Sequence, residues 1–418
     1  MRTKFRMLLL SAWCLAAFTL SGCWDRIEVN DLAITRAVAI DQGPNDLLEM
    51  TVLVVVPTQG GIGGSMSGTE GATKAPTEQQ QVVVQSAKGR TLAEALSFLQ
   101  LQFPRRLFWG HTEVILIGEE LARHDIRSQF DYILRHPQLR IRSRVFVTKG
   151  RAKDVLFVEP LMERDIAESL KEGAVINEAL DVTTKEFAQM LIGESNAAIL
   201  PYVNMMSTPA GGNMSQTVVY IDGAAIFKNG KLVGTLDQKE TRGALWLRNE
   251  MKRATITIKP GEHEDYISMF LLRSETRLKP NISGDQWQIR LRGDLDLDVY
   301  ENATDLEITP EITRKIEQAT SAEVERRVEE VLAKAQKEMN ADVFGFAEAF
   351  HRAYPSIWRK NKDKWDEIFP KVQVTFDIQA KVKRPGLIHQ PALLPRDEIH
   401  KNMEGPEHGH RTSSGQKR

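Results

Sequence analysis

The chain carries two cysteines, Cys14 and Cys23, both within its first 23 residues. Cys23 closes the stretch Leu20-Ser21-Gly22-Cys23, downstream of Arg2, Lys4 and Arg6 and a mostly apolar run from Met7 to Leu20. A basic start, a short apolar core and small residues at a cut site describe a secretory signal peptide. The apolar run falls short of the roughly 20 residues a membrane-spanning helix needs. Small residues ending in cysteine resemble the bacterial lipobox, in which the thiol receives a diacylglycerol and the signal is cut just before it. The alternative is an ordinary signal peptide with an incidental cysteine; four matched positions at the right distance from the apolar core favour the lipobox. Cys14 would then leave with residues 1–22, and the mature chain would hold one modified cysteine and no internal disulfide, although the compartment permits one.

Other candidates for chemistry are weaker. Asp294, Asp296 and Asp298 in "DLDLD" match positions 1, 3 and 5 of a calcium loop. Position 6 is Val299 where the turn needs glycine, and position 12 is Asp305 where a bidentate glutamate belongs. Strict Asp/Leu alternation is instead what a half-buried strand shows, with carboxylates on the wet face. The histidines at 111, 124, 136, 263 and 351 are scattered, with no H-E-x-x-H and no pair at ligand spacing. His408 and His410 lie in a polar tail. No local motif announces a serine nucleophile with its base and oxyanion site. The glycine-rich stretch 58–80, "TQGGIGGSMSGTEGATKAPTEQQ", contains no phosphate-binding or nucleophile-elbow pattern and reads as a flexible loop. No catalytic residue, metal or cofactor is expected.

Elements able to position such residues follow from periodicity. Strands are predicted at Leu32–Ile40, Leu47–Val56, Val82–Gln85, Glu113–Gly118 and Arg144–Thr148. Thr91 and Glu94 form a T-x-x-E capping box for a helix bearing Leu92, Leu96 and Leu99. Further helices are predicted at Phe130–Arg135, Ala152–Leu156 and Lys185–Ile192, so the first half reads as α/β. From Thr217, two strands meet at Asn229-Gly230, a strong hairpin signal, and a short helix around Thr241–Leu247 follows. Strands at Ala254–Ile258, Tyr266–Leu272 and Trp287–Val299 precede a helix from about Pro310 to Asn340, which Thr320 and Glu323 are expected to interrupt as a second capping box. An alternating strand at Val372–Val382 closes the chain's structured part.

The predicted fold class is α/β, mixed α+β: a three-domain extracytoplasmic lipoprotein with mixed sheets, packed helices and a long helix in its C-terminal domain. The expected divisions are a removed signal at 1–22 and an N-terminal α/β domain at 23–200 that includes loop 58–80. A middle hairpin–helix domain at 201–250, a C-terminal sheet and long-helix domain at 251–385 and a disordered tail at 386–418 complete them. At 418 residues the chain exceeds the size at which one core usually stops growing. Formal net charge is −1, and removal of residues 1–22, with three positive charges and no negative ones, leaves −4. No basic surplus points to nucleic acid. Nothing after residue 22 is apolar enough to cross a bilayer, so the membrane connection rests on Cys23.

Four longer stretches carry a family resemblance. "CWDRIEVNDLAITRAVAID" after the lipobox resembles the start of Ger(x)C proteins, the lipoprotein C subunits of GerA-type germinant receptors of bacterial spores. "GRTLAEALSFLQLQFPRRLFWGHTEVILIGEELAR" (89–123), "DGAAIFKNGKLVGTLDQKETRGALWL" (222–247) and "DVFGFAEAFHRAYPSIWRKNKDKWDEIFPKVQVTFDI" (342–378) are similar to later family blocks, in the same order. The resemblance implies a non-catalytic subunit on the outer face of the spore inner membrane, acting with multi-spanning A and B subunits to sense nutrients and start germination. Direct small-molecule binding by this subunit is not expected. The glycine-rich loop, the tail after Gly386 and Ile27, where the family commonly has a charge, depart from the pattern.

Within those blocks, His111 and Arg242 are the candidate partner contacts. Trp109-Gly110-His111 reads either as an aromatic anchor with a polar handle or as core, turn and spacer; Arg242, Gly243 and Trp246 carry the same two readings. Trp358 and Trp365, seven apart, would share one helix face if the helix survives between them. The alternative function, a solute-binding lipoprotein of a transporter, requires two α/β lobes of similar size.

Overall fold

The computed structural model describes residues 31–56, 81–176, 179–209, 215–260 and 265–386, together with position 6. The expected signal peptide, Cys23, loop 58–80 and the tail beyond Gly386 lie outside the described residues. Two sheets of unequal size organise the rest. The first has nine described strands: β1 (Leu32–Gln42), β2 (Leu48–Val56), β3 (Gln81–Gly89), β4 (Arg106–Phe108), β5 (Val114–Gly118), β6 (Arg144–Thr148), β7 (Ala197–Pro209), β8 (Ser215–Lys228) and β9 (Lys231–Leu236). Their order is β3-β2-β1-β5-β6-β7-β8-β9, with β4 beside the start of β1. The β1, β5, β6 and β7 pairings are parallel, and antiparallel hairpins flank them on both sides. Strands covered on both faces should read as continuous apolar runs; β5, VILIG, is buried at every residue.

Helices α1 (Leu92–Leu101), α2 (Glu119–Ala122), α3 (Arg127–Arg135), α4 (Ala152–Leu156), α5 (Ile166–Ile176) and α6 (Thr184–Leu191) cover this sheet. The hydroxyl of Thr91 accepts the Glu94 amide at 3.2 Å, as the sequence pattern requires. The boundary expected at residue 200 falls inside β7, and the β8–β9 hairpin extends the first sheet. Its turn has φ of 50° at Asn229 and 79° at Gly230, the left-handed pair that an Asn-Gly hairpin turn needs.

Helix α7 (Gln238–Leu247) leads to the second sheet, order β10-β11-β12-β13, made of β10 (Thr255–Ile258), β11 (Ile267–Ser283), β12 (Gln286–Asn302) and β13 (Gln373–Arg384). Between β12 and β13 come α8 (Pro310–Lys334), α9 (Phe346–Ala353), α10 (Pro355–Asn361) and α11 (Trp365–Ile368). Thr309 caps α8, and Pro310 takes its first turn, where the missing N–H costs nothing. The break expected at Thr320 does not occur. Thr320 is fully buried and its hydroxyl donates to the Ile316 carbonyl at 2.7 Å, so it serves the helix interior rather than a cap. Ile312, Ile316, Val324, Val328 and Val331 complete the buried stripe of α8. The two sheets are not similar lobes, which removes the architecture a solute-binding protein needs.

Gly243 on α7 marks a close helix approach: a Cβ there would lie 2.5 Å from the Arg327 carbonyl oxygen of α8. The next atom met is Cγ1 of buried, β-branched Val331 at 2.9 Å, so backbone and a stiff side chain leave no flexible group to yield. Gly243→Ala is expected to cost roughly 1–3 kcal/mol, the usual range for overpacking, read as a lower denaturation midpoint at unchanged slope. A neutral melt would mean that the two helices are free to separate.

Candidate functional site

The most developed polar constellation sits at the carboxyl ends of β1, β5 and β6, where open parallel sheets place their crevices. Asp41, the penultimate residue of β1, is buried and accepts the amides of Ala152 at 2.7 Å and Lys153 at 2.9 Å, the first turn of α4. Burial pushes its carboxyl above the ordinary range, and the two amides act in the opposite direction. Gly118 ends β5 beside it; a Cβ at that position would come within 2.1 Å of the Asp41 carboxylate. Asp41 pairs across the strands with Glu49, also buried, which takes Arg151 at 2.5 Å and Lys153 at 3.0 Å. On the far wall Glu119 holds Arg123 at 2.6 Å and accepts the Tyr202 hydroxyl at 3.1 Å. Burial first, and then the Glu119 charge, raise that phenol's pKa. The cleft so formed encloses about 570 Å³. Glu49 is paired with Arg151 and Lys153, and Glu119 with Arg123, a geometry suited to holding strand ends and helix starts together. Among the described residues no group of three or more His, Cys, Asp or Glu is placed to hold a metal ion.

A second cluster joins the α6–β7 turn of the first sheet to the α9–α10 region. Glu194 accepts Trp358 Nε1 at 2.9 Å and lies 2.8 Å from His351 Nδ1. Its own amide donates to Glu348 at 3.1 Å. Glu348 in turn acts on Asp342, a buried residue whose carboxylate accepts the amides of Phe344, Phe346 and Ala347 at 3.2, 3.1 and 2.8 Å. Burial, followed by the Glu348 charge, pushes Asp342 up to about 6. A carboxyl with a raised folded-state pKa binds more protons folded than unfolded between about pH 4 and 6. Its contribution to stability therefore falls as pH rises through that window and is level above it. The size is of order 2–3 kcal/mol, at about 1.4 kcal/mol per pKa unit. Glu348→Gln removes the like charge and is expected to narrow that fall by of order 1 kcal/mol. Denaturant titrations at pH 4.5 and 7 for both proteins measure it, and parallel profiles would count against the coupling.

The predicted contact residues fall on separate elements. His111 is exposed in the turn before β5, its ring 5.7 Å from Phe108. Trp109 is core, 4% exposed, with His136 at 5.7 Å. Arg242 is half-buried on α7, while Gly243 and Trp246 of that helix are buried in its packing. Asp294, Asp296 and Asp298 lie in β12, with Leu295 and Leu297 buried between them. Asp296 pairs with Lys383 of β13 at 3.2 Å and Asp298 with Arg384 at 3.5 Å, so strand pairing uses those carboxylates. Both clusters escape sequence reading because their partners are remote: Glu49 and Arg151 are 102 positions apart, and Glu194 and Trp358 are 164. The one available signal is an acid inside or at the end of an apolar strand, as at Asp41 and Glu49.

Comparison with known proteins places these features in context. The family model described as spore germination protein N-terminal domain matches residues 25–205, and that described as spore germination B3/GerAC-like, C-terminal, matches 222–386. Spore germination protein KC of Bacillus subtilis (strain 168) is 27% identical over 410 residues, covering 92% of this chain and 97% of that protein. Spore germination protein B3 of the same organism is 24% identical, over 88% of this chain and 95% of its own length. A crystal structure of the GerBC protein superposes with a TM-score of 0.54 at 20% identity, covering 85% of this chain and all of that one.

Proposed function

The chain belongs to the spore germination B3/GerAC-like family, and from that premise we propose that it is the non-catalytic C-type subunit of a germinant receptor. It is anchored by a diacylglyceryl group on Cys23 to the outer face of the spore inner membrane, where it acts with multi-spanning A and B subunits. The observation that carries this reading is the tandem match of both domain models, in order, over most of the chain. Relatives named as spore germination proteins align over nearly their whole length. No helix among the described residues is long and apolar enough to cross a membrane, so attachment through lipid supplies what the fold does not. Activity then resides in contacts, with His111 and Arg242 as candidate contact residues and no cofactor involved.

Purification of the native protein from solubilised spore membranes tests the reading directly. Two multi-spanning proteins are expected to accompany it. A chain that purifies alone, and whose loss leaves nutrient-triggered germination unchanged, would overturn it. His111→Ala, at an exposed turn, is expected to leave the melting temperature within experimental error and to slow germination. Arg242→Ala is expected to slow germination with at most a small loss of stability, because the side chain is half-buried. Normal melts with normal germination would remove each as a contact.

A further inference from the structure

The nine residues from Phe157 to Asp165 connect α4 to α5 and carry an unusual surface. Phe157 is 62% exposed, Leu161 58% and Met162 92%, with Pro160 stiffening the bend between them. Single exposed apolar residues are normal, whereas three within one short loop concentrate apolar surface as interaction sites do. Asp165, three positions beyond Met162, holds Arg36 of β1 at 3.1 Å and accepts the Glu168 amide at 2.9 Å. Lys171 of α5 approaches Glu113, which immediately precedes β5, at 3.7 Å. The loop and α5 therefore run toward the amino-terminal edge of the parallel strands, the edge from which the chain leads back to Cys23. Arg36 stands about 17 Å along β1 from Asp31. The eight residues from Cys23 to Asp31 span at most roughly 29 Å, enough to bring acyl chains on Cys23 level with the loop.

We propose that this loop is a bilayer contact: Phe157, Leu161 and Met162 enter the interfacial region of a phospholipid membrane and set the orientation of the first sheet on it. The proposal rests on the anchoring reading above and deepens it, since a tether alone fixes distance and not orientation. Glu159 and Glu163 flank the apolar tip, and the adjacent Arg164 is paired with Glu168 at 3.6 Å, so the tip lacks the basic patch that binds acidic lipids and the surface it fits is zwitterionic. The contact is apolar, and added salt should not release it.

Full-length, lipid-modified protein carrying Met162→Cys or Leu161→Cys, labelled with an environment-sensitive fluorophore, tests this in phosphatidylcholine vesicles. Asp285→Cys, at the exposed β11–β12 turn of the second sheet, provides the comparison. The labels at 161 and 162 are expected to shift to the blue and lose most of their emission to spin-labelled lipid, and to do so less with anionic lipid. The label at 285 should stay open to aqueous iodide. Mass analysis of Cys23 and vesicle flotation report anchoring separately. A floating, acylated protein whose 161 and 162 labels remain open to iodide overturns the loop contact alone. Unmodified Cys23 without flotation overturns the anchoring reading and the loop contact with it. In spore membranes, a label shielded from iodide but unquenched by lipid would place a protein against the loop and overturn the proposal too.

Discussion

Cys23→Ala is expected to transfer the protein from the membrane to the soluble fraction while leaving its circular dichroism unchanged. The reason is that the described residues offer no membrane-spanning substitute for the lipid. The described helices include none that could span a bilayer, and the net charge of −4 on residues 23–418 offers no general attraction to acidic lipid. Two acyl chains contribute about 0.8 kcal/mol per buried CH₂, whereas a single chain gives only marginal, reversible attachment. A loop tip of three apolar side chains falls on the marginal side of that comparison, so it orients an anchored protein without retaining an unanchored one. The fold should survive because the described core begins at β1, eight or more residues beyond the cysteine. Membrane fractionation at low and high salt checks the outcome. Retention of the Cys23→Ala protein in high salt would mean that some other interaction, with a partner protein as the first candidate, carries the attachment.

Local chemistry made part of this architecture readable. Asn229-Gly230 specifies its hairpin because both residues accept positive φ, and Thr91 with Glu94 specifies a helix start; neither depends on anything distant. The 17-residue strands β11 and β12 were only partly legible. The outer part of β11, from Arg273 to Ser283, is largely polar and includes Pro280, and it becomes strand by pairing along its length with β12. Helix α5 was missed because its short apolar side, Ile166, Leu170 and Ala174, is diluted by Gly173 and the charged residues between. At Thr320 the pattern misled: a threonine three positions before glutamate resembles a helix start, yet burial decided its role. Cys23, the proposed lipid-attachment residue, is the one candidate position with a local signature. The buried acids Asp41, Glu49 and Asp342 take their meaning from groups that only the fold brings near, and no spacing in the chain announces them.

The largest loss of stability from one substitution is expected at Trp287, near the start of β12. Its ring is 8% exposed and meets Phe350 at 4.7 Å, Trp365 at 6.0 Å and Trp358 at 6.4 Å, all edge-on. Trp358 and Trp365 touch each other at 5.1 Å. The helix does not run unbroken between those two; a 3₁₀ turn at Lys362–Lys364 re-aims the chain so that both indoles reach the same indole on the sheet. One residue thus connects β12 to three side chains on α9, α10 and α11. Trp287→Ala is expected to cost roughly 3–5 kcal/mol, the range for removing a large buried aromatic. Edge-to-face pairs add about 0.5–1.5 kcal/mol each beyond the area they bury, which favours the upper end. Trp287→Phe keeps a ring in place and should recover much of the loss. Tyr300→Ala, on the same strand but 79% exposed, should change stability by less than about 0.5 kcal/mol. Chemical denaturation of the three variants separates a packing role from a general effect of altering β12. A loss under about 1 kcal/mol for Trp287→Ala, well below that range, would mean that α9, α10 and α11 are held to the sheet by other contacts. The Glu194 bonds to Trp358 and His351 would be the first to test, because they tie the same helices to the first sheet.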